Sequence, residues 1–370
     1  MTTQELIAPG QQDASSQSAD TEAFTERLFS SMLGTFDVLA IALADQLGLY
    51  PPLQGAALTS SELAEQTGIG ERYAREWLEQ QCATGVLEVD DPTLLAAERR
   101  FHLPAAHAEV LVQQDSLAYL TPFARLIASS AVQLPQLLDA YRTGGGVSWA
   151  DYGESMRTGQ ADANRALFLN SLASEWMPAI PEAAQALRRG GQALDVGCGE
   201  GWSSIALALG FPDAEVVGVD LDHASVLAAR EHAKAMGVDD RVTFHCGDAS
   251  EFATYGFDFV SAFECVHDMS DPVSVLAAMR GAAAAGAPVL VMDERVGERF
   301  VGHADEVEQL MYGLSLMICL PDGMSHTPSV GTGTVMRPDT LRQYAQGAGF
   351  GDIEILDIEN DLFRFYRLVD

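Results

Sequence analysis

Residues 193–201 form a short apolar run that breaks into glycine at every second position, Gly197, Gly199 and Gly201. A run of this kind reads as a buried strand, and the glycines as the tight turn that feeds the chain into a helix opening near Trp202. Backbone can approach a ligand closely in such a turn. The first helical amides and the hydroxyls of Ser203 and Ser204 then face whatever lies over the strand end. A dinucleotide fingerprint, Gly-x-Gly-x-x-Gly, requires glycine at position 202, where this chain has Trp202. Asp195 stands inside the strand end, where a pyrophosphate would meet like charge. Its place suits a cationic ligand instead.

Two further acids close the next apolar runs. Residues 216–219 read as a second strand ending in Asp220, and residues 241–248 as a third ending in Asp248. Three acids at three successive strand ends are a more specific signal than the glycines. In order and spacing the set resembles the class I S-adenosylmethionine (SAM) methyltransferases, whose ligand carries a sulfonium and an ammonium. The resemblance implies that Asp195, Gly197, Gly199 and Gly201 cradle SAM. It implies that Asp220 accepts both ribose hydroxyls with Leu221 beside the adenine. Asp248, preceded by Gly247, then takes the adenine amino group, Ala249 supplies a backbone amide, and Glu264 belongs to the same cofactor site.

Methyl transfer is an in-line displacement at the sulfonium methyl carbon, so the protein must align an acceptor and, for a hydroxyl, remove its proton. The segment 263–272, Phe-Glu-Cys-Val-His-Asp-Met-Ser-Asp-Pro, is similar to the His-Asp/Asn-Trp-x-Asp element of small-molecule O-methyltransferases of the plant and bacterial type. It departs from that element in carrying Met269 for tryptophan. Carried over, His267 is the general base, Asp268 its neighbour in the site, and Glu294 the acid that orients the base. Asp293, one step away, could take the orienting role. An imidazole has the right basicity for this work near neutral pH.

The acceptor side reads less sharply. Residues 307–324 carry Met311, Tyr312, Met317 and Cys319, which suit either a lid over a flat or greasy acceptor or a core helix. Trp176, in a stripe with Phe168, Leu172 and Met177, either packs a core or walls the acceptor pocket. His326 follows on a loop, where it could meet His267. Two converging histidines would permit a metal holding a 2-oxo acid or similar acceptor, and a metal-assisted C-methyltransferase is one alternative reading. Nothing in the spacing compels it, and no metal ligand is assigned. A non-catalytic SAM-binding regulator is the other.

A sheet has to hold these residues in place. From residue 182 strands and helices alternate: strand 193–196, helix 202–209, strand 216–219, helix 223–236, strand 242–245, strand 257–263, helix 272–284 and strand 287–292. A helix at 338–348 then precedes an antiparallel pair at 353–358 and 362–368. The expected fold is an α/β Rossmann-like methyltransferase domain, a mostly parallel seven-stranded sheet, over residues 182–370. A helical connector (116–181) and a mainly α-helical winged-helix domain (21–115) precede it, behind a disordered tail (1–20). In the winged helix, Thr59 and Glu62 have capping-box spacing, helix 71–84 shows Tyr73, Trp77 and Leu78 on an apolar side, and 86–89 with 100–103 form the wing.

Composition narrows the function. The chain of 370 residues carries a net charge of −32 with a single lysine, Lys234, which disfavours nucleic acid and anionic membranes. Residues 21–110 hold five arginines against fourteen acids, so the winged helix reads as a dimerisation scaffold rather than a DNA reader. The long apolar periodicity from Thr21 to Leu47 points the same way, toward a homodimer. The five cysteines lie far apart and form no Cys-x-x-Cys pair, which argues against a disulfide framework. The resulting expectation is a cytoplasmic protein acting on a small-molecule substrate.

Overall fold

The computed structural model of this chain describes residues 14–252 and 255–370. The chain divides into two compact units, Met1–Ala105 and Ala106–Asp370.

The first unit begins with α1 (Ala14–Leu47), a helix of 34 residues. Residues 1–13 of the expected tail lie outside the described residues, whereas 14–20 are already helical. Then come α2 (Ser60–Thr67), α3 (Glu71–Ala83), β1 (Glu88–Val89) and β2 (Phe101–His102), the last two paired antiparallel as a wing. The capping box is present: Thr59 and Glu62 satisfy each other's backbone amides at the start of α2. In α3 the buried face is Ala74, Trp77, Leu78 and Gln81. Tyr73, expected on that face, is 80% exposed because it falls one position off the stripe. Trp77 Nε1 donates to Ala40 O and Gln80 Nε2 to Asp37 Oδ1, which fastens α3 to α1.

Most of the apolar face of α1 stays uncovered. Phe24, Leu28, Phe29, Met32, Leu33 and Phe36 are all exposed. By length and composition alone, Gln17–Leu47 is long and apolar enough to cross a membrane.

The second unit opens with helices: α4 (Ala105–Leu111, astride the boundary), α5 (Thr121–Val132), α6 (Leu134–Thr143), α7 (Trp149–Tyr152) and α8 (Glu154–Leu167). α8 runs on as a π-helical stretch, Phe168–Trp176, before α9 (Pro181–Arg188). The α/β part follows: β3 (Gln192–Val196), α10 (Trp202–Gly210), β4 (Glu215–Asp220), α11 (His223–Ala235), β5 (Val242–Cys246), β6 (Phe259–Phe263), α12 (Pro272–Ala282) and β7 (Val289–Glu294). An excursion carrying α13 (Glu306–Leu314) and α14 (Leu320–Gly323) leads to α15 (Pro338–Gly347), β8 (Asp352–Ile355) and β9 (Phe363–Val369).

The seven strands are ordered β5-β4-β3-β6-β7-β9-β8. β9 runs antiparallel to both of its neighbours, and the other pairings are parallel. β3 and β7 are buried almost throughout and read as continuous apolar runs, as strands covered on both faces do. The winding reverses between β3 and β6, and such a switch point leaves a crevice outside the carboxyl ends of the strands. The expected glycine turn, acids and histidine all belong to that rim.

Candidate active site

Each glycine after β3 has its own reason. A β-carbon at Gly197, where φ is 70°, would fall 2.5 Å from Cys265 Sγ, whereas one at Gly199 would meet nothing within 4 Å. The turn is therefore packed at its base and open at its crest, where a ligand can lie against backbone. Gly201 caps α10.

Asp195 is 1% exposed. Its Oδ2 accepts the hydroxyls of Ser203 (2.5 Å) and Ser204 (2.7 Å), and its Oδ1 that of Ser261 (3.2 Å). The two serine hydroxyls expected to face a ligand are thus given to the buried carboxylate, which braces the turn from beneath. Burial pushes the Asp195 carboxyl up to about 6, against the three hydroxyls. Asp220 accepts the Gly199 amide on Oδ2 and the Asp222 amide on Oδ1, both at 2.8 Å, so it fixes the crest of the glycine turn to the end of β4. Its carboxyl is likewise raised, chiefly by burial.

Beyond it, Leu221 is 71% exposed, beside the rim. The Gly247 amide donates to Asp220 O, Asp248 Oδ1 accepts the Ser250 amide, and Ala249 is buried.

On the other side of β3 lies the imidazole. His267 is 3% exposed, and its Nδ1 is 2.9 Å from both Asp293 Oδ1 and Glu294 Oε2, at the end of β7. The hydrogen bond goes to Asp293 Oδ1; Glu294 Oε2 makes an ion-pair contact but takes no hydrogen bond. The orienting acid expected at Glu294 is therefore shared, with Asp293 holding the ring. Burial works against charge on His267, but Glu294 and then Asp293 outweigh it and hold the imidazole well above its ordinary value. Burial pushes Glu294 up, whereas the His267 charge holds Asp293 below the usual carboxylate range despite its burial. Asp268, half-buried next to the base, is pushed up to about 7 by burial. Cys319, from the π-helical turn Ser315–Cys319, lies near enough to hydrogen-bond His267, a contact that its place in the expected lid or core helix did not indicate.

The expected acceptor residues separate. Trp176 is 2% exposed, packed at 4.8 Å on Phe365 and edge-on to Phe168, and it belongs to the core of the α/β unit rather than to a pocket wall. Phe168, Leu172, Trp176 and Met177 are buried in one core, so the core option for this stripe is the one the fold takes. Met311 is buried, Met317 is half-buried, and the Tyr312 hydroxyl takes a 3.2 Å hydrogen bond from Arg337. His326 is exposed, and the carboxylate it acts on is Asp322. Among the described residues, the group able to hold a metal is His267, Asp293 and Glu294, which does not include His326.

The topology and this rim define a class: a methyltransferase domain of the SAM-binding kind behind a winged helix. Residues 187–327 match the family described as "Methyltransferase domain", and residues 35–113 match the "Rv2258c-like winged HTH domain". The chain therefore carries a methyltransferase domain preceded by a winged helix-turn-helix domain.

Particular relatives match the chain over different extents. The chain is 28% identical over 165 residues to 27-O-demethylrifamycin SV methyltransferase of Amycolatopsis mediterranei, covering 43% of this chain and 59% of that one. The first curated relatives are matched over only 34% to 59% of their own length. Among solved structures, mitomycin 7-O-methyltransferase MmcR superposes with a TM-score of 0.70 at 22% identity, covering 95% of this chain and 99% of that one. Human N-acetylserotonin methyltransferase in complex with SAM superposes with a TM-score of 0.69 at 16% identity, over 93% and 97%.

Proposed function

We propose that this chain transfers the methyl group of SAM to a hydroxyl oxygen of a small molecule, with His267 as general base. The observation that carries the reading is the buried contact of His267 Nδ1 with Asp293, beside Glu294. With Nδ1 bonded to a carboxylate, the neutral ring presents Nε2 as the basic nitrogen, and the imidazolium that forms is stabilised where it forms. Bound SAM supplies an activated methyl on a sulfonium leaving group. The residues that fit it are the open crest at Gly199 and the acid Asp220 at the end of β4; Asp248 and Leu221 stand where the adenine would lie. The chain's own part is to hold the acceptor oxygen in line and to take its proton on His267. Related chains named as O-methyltransferases support oxygen as the acceptor atom.

Incubation with SAM and a panel of phenols, catechols and polyketide-type hydroxyls, followed by quantification of S-adenosylhomocysteine, tests this. Turnover confined to amines or carbon acids would replace the oxygen assignment.

The same reading covers assembly. Exposed apolar side chains along α1 support a homodimer formed through the first unit, and sedimentation velocity that finds only monomer at micromolar concentration refutes it. A DNA partner is disfavoured because four of the five arginines in residues 21–110 are paired with acids: Arg72 with Glu76, Arg75 with Glu71, Arg99 with Glu79 and Arg100 with Glu62. Five free cysteines accord with a cytoplasmic location. Metal-assisted methylation remains a second reading because His267, Asp293 and Glu294 could hold a cation.

A further inference from the structure

Arg157, Gln160 and Asn164 stand at i, i+3 and i+7 of α8 and so share one face of that helix. At one end of the face, Arg157 Nε lies 3.6 Å from Asp222 Oδ2, and the Asp222 amide donates to Asp220. At the other end, Gln160 Nε2 and Asn164 Nδ2 both donate to Glu264 Oε2 at 3.1 Å. Seven helical residues rise roughly 10 Å, so this face is tied to the β4 rim and to the β6 rim, with the glycine turn of β3 between them.

Glu264 carries two further marks of a constrained position. It is the described non-glycine residue with a left-handed backbone, at φ 53°, a conformation that L side chains adopt at a cost. It also precedes Cys265, whose Sγ donates to Val196 O and crowds Gly197, so Glu264 adjoins the base of the glycine turn. Both amides from α8 go to Oε2, and Oε1 is buried with no hydrogen-bond partner. A buried carboxylate oxygen without a donor is costly, and such an atom at a ligand site calls for a ligand group that donates.

We infer that Glu264 receives the α-ammonium of SAM through Oε1, and that Gln160 and Asn164 are positioning residues that hold its carboxylate for this contact. α8 is then a strap across the cofactor, anchored at the ribose end by Arg157 and at the amino-acid end by the two amides. The inference rests on the reading that SAM binds at these strand ends. Of the ligand's polar groups the ammonium alone is a cation with several donors; its carboxylate would be repelled by Glu264, and its ribose belongs beside Asp220.

Calorimetry on the full chain with three probes tests this. The probes are S-adenosylhomocysteine, decarboxylated SAM (ammonium kept, carboxylate lost) and 5′-methylthioadenosine (both lost). Glu264→Gln is expected to weaken the first two roughly 10- to 100-fold and to leave methylthioadenosine within about twofold. Asn164→Ala is expected to weaken the same two by roughly 3- to 10-fold, again sparing methylthioadenosine. Equal losses for all three probes, or unchanged affinity for S-adenosylhomocysteine, overturn the assignment while the SAM site stands. Loss for S-adenosylhomocysteine but not for decarboxylated SAM also overturns it, by moving the contact to the ligand's carboxylate. A wild-type chain that binds none of the three removes the underlying reading as well. If Glu264→Gln does not fold, Gln160→Ala together with Asn164→Ala carries the same comparison.

Discussion

Along the rim of β3 and β4, both oxygens of Asp195 and both of Asp220 take hydrogen bonds from the chain itself. Along the rim of β6 and β7, Glu264 Oε1, Asp293 Oδ2 and Glu294 Oε2 are buried with none. The two stretches border one crevice, yet the first is internally complete and the second is not. Satisfied carboxylates keep a turn in one shape before any ligand arrives. Unsatisfied ones, crowded around an imidazole, store electrostatic free energy that a bound group or a moving proton can release. On this view the β3–β4 side positions and the β6–β7 side reacts.

The sharpest test of that division is His267→Ala. It should lower the rate of methyl transfer by roughly 10²- to 10⁴-fold with S-adenosylhomocysteine affinity unchanged. Single-turnover kinetics retaining more than roughly a tenth of the wild-type rate would break the division. On the opposite rim, Asp220→Ala should weaken S-adenosylhomocysteine by about 1–3 kcal/mol, because it strands ribose hydroxyls along with the Gly199 and Asp222 amides. Calorimetry showing no change would remove Asp220 from the cofactor site.

The pH profile sharpens the comparison further. His267 works as a base only when neutral, and its facing carboxylates hold its pKa above the ordinary value. The rate should therefore rise with pH through a limb lying above the usual histidine range. Glu294→Gln removes one raising charge and should move that limb to lower pH, whereas Asp220→Ala should leave it in place. The smallest effect is expected from chelation. Dialysis against EDTA should change turnover by less than about twofold, since protons shared among His267, Asp293 and Glu294 already balance the group. Stoichiometric metal in the purified protein, with activity lost on chelation, would transfer the β6–β7 rim to the metal-assisted reading.

The positioning rim was the legible one. Glycines at 197, 199 and 201 and acids at 195, 220 and 248 recur at strand ends, and a period of that sort survives in one dimension. The capping box at Thr59 and Glu62 was legible for the same reason, being a contact three residues apart. The reacting rim was only half legible. His267 followed from its motif, but Asp293 and Glu294 are consecutive on β7, where alternation sends side chains to opposite faces; only at the strand end do both reach the same nitrogen. Trp176 stayed open between core and pocket wall, because an apolar stripe at four-residue steps suits both; in the fold Phe168, Leu172 and Trp176 are buried together. Gln160 and Asn164 carried no signal, since an amide on a helix acquires a role only from what stands opposite it in space.

The excursion after β7 is stitched to the helices before α8 by contacts distant in sequence. Tyr141 Oη donates to Leu316 O across 175 residues, Tyr152 Oη to Met317 O, and the Trp149 amide to Asp322, while the Val147 amide reaches Pro321 O. Three of these four acceptors are backbone carbonyls, so replacing side chains in the excursion leaves those seams intact. Swapping the excursion alone for that of a relative would tear them. Any recombination meant to change acceptor preference has to carry residues 141–152 and 315–323 as a single cassette.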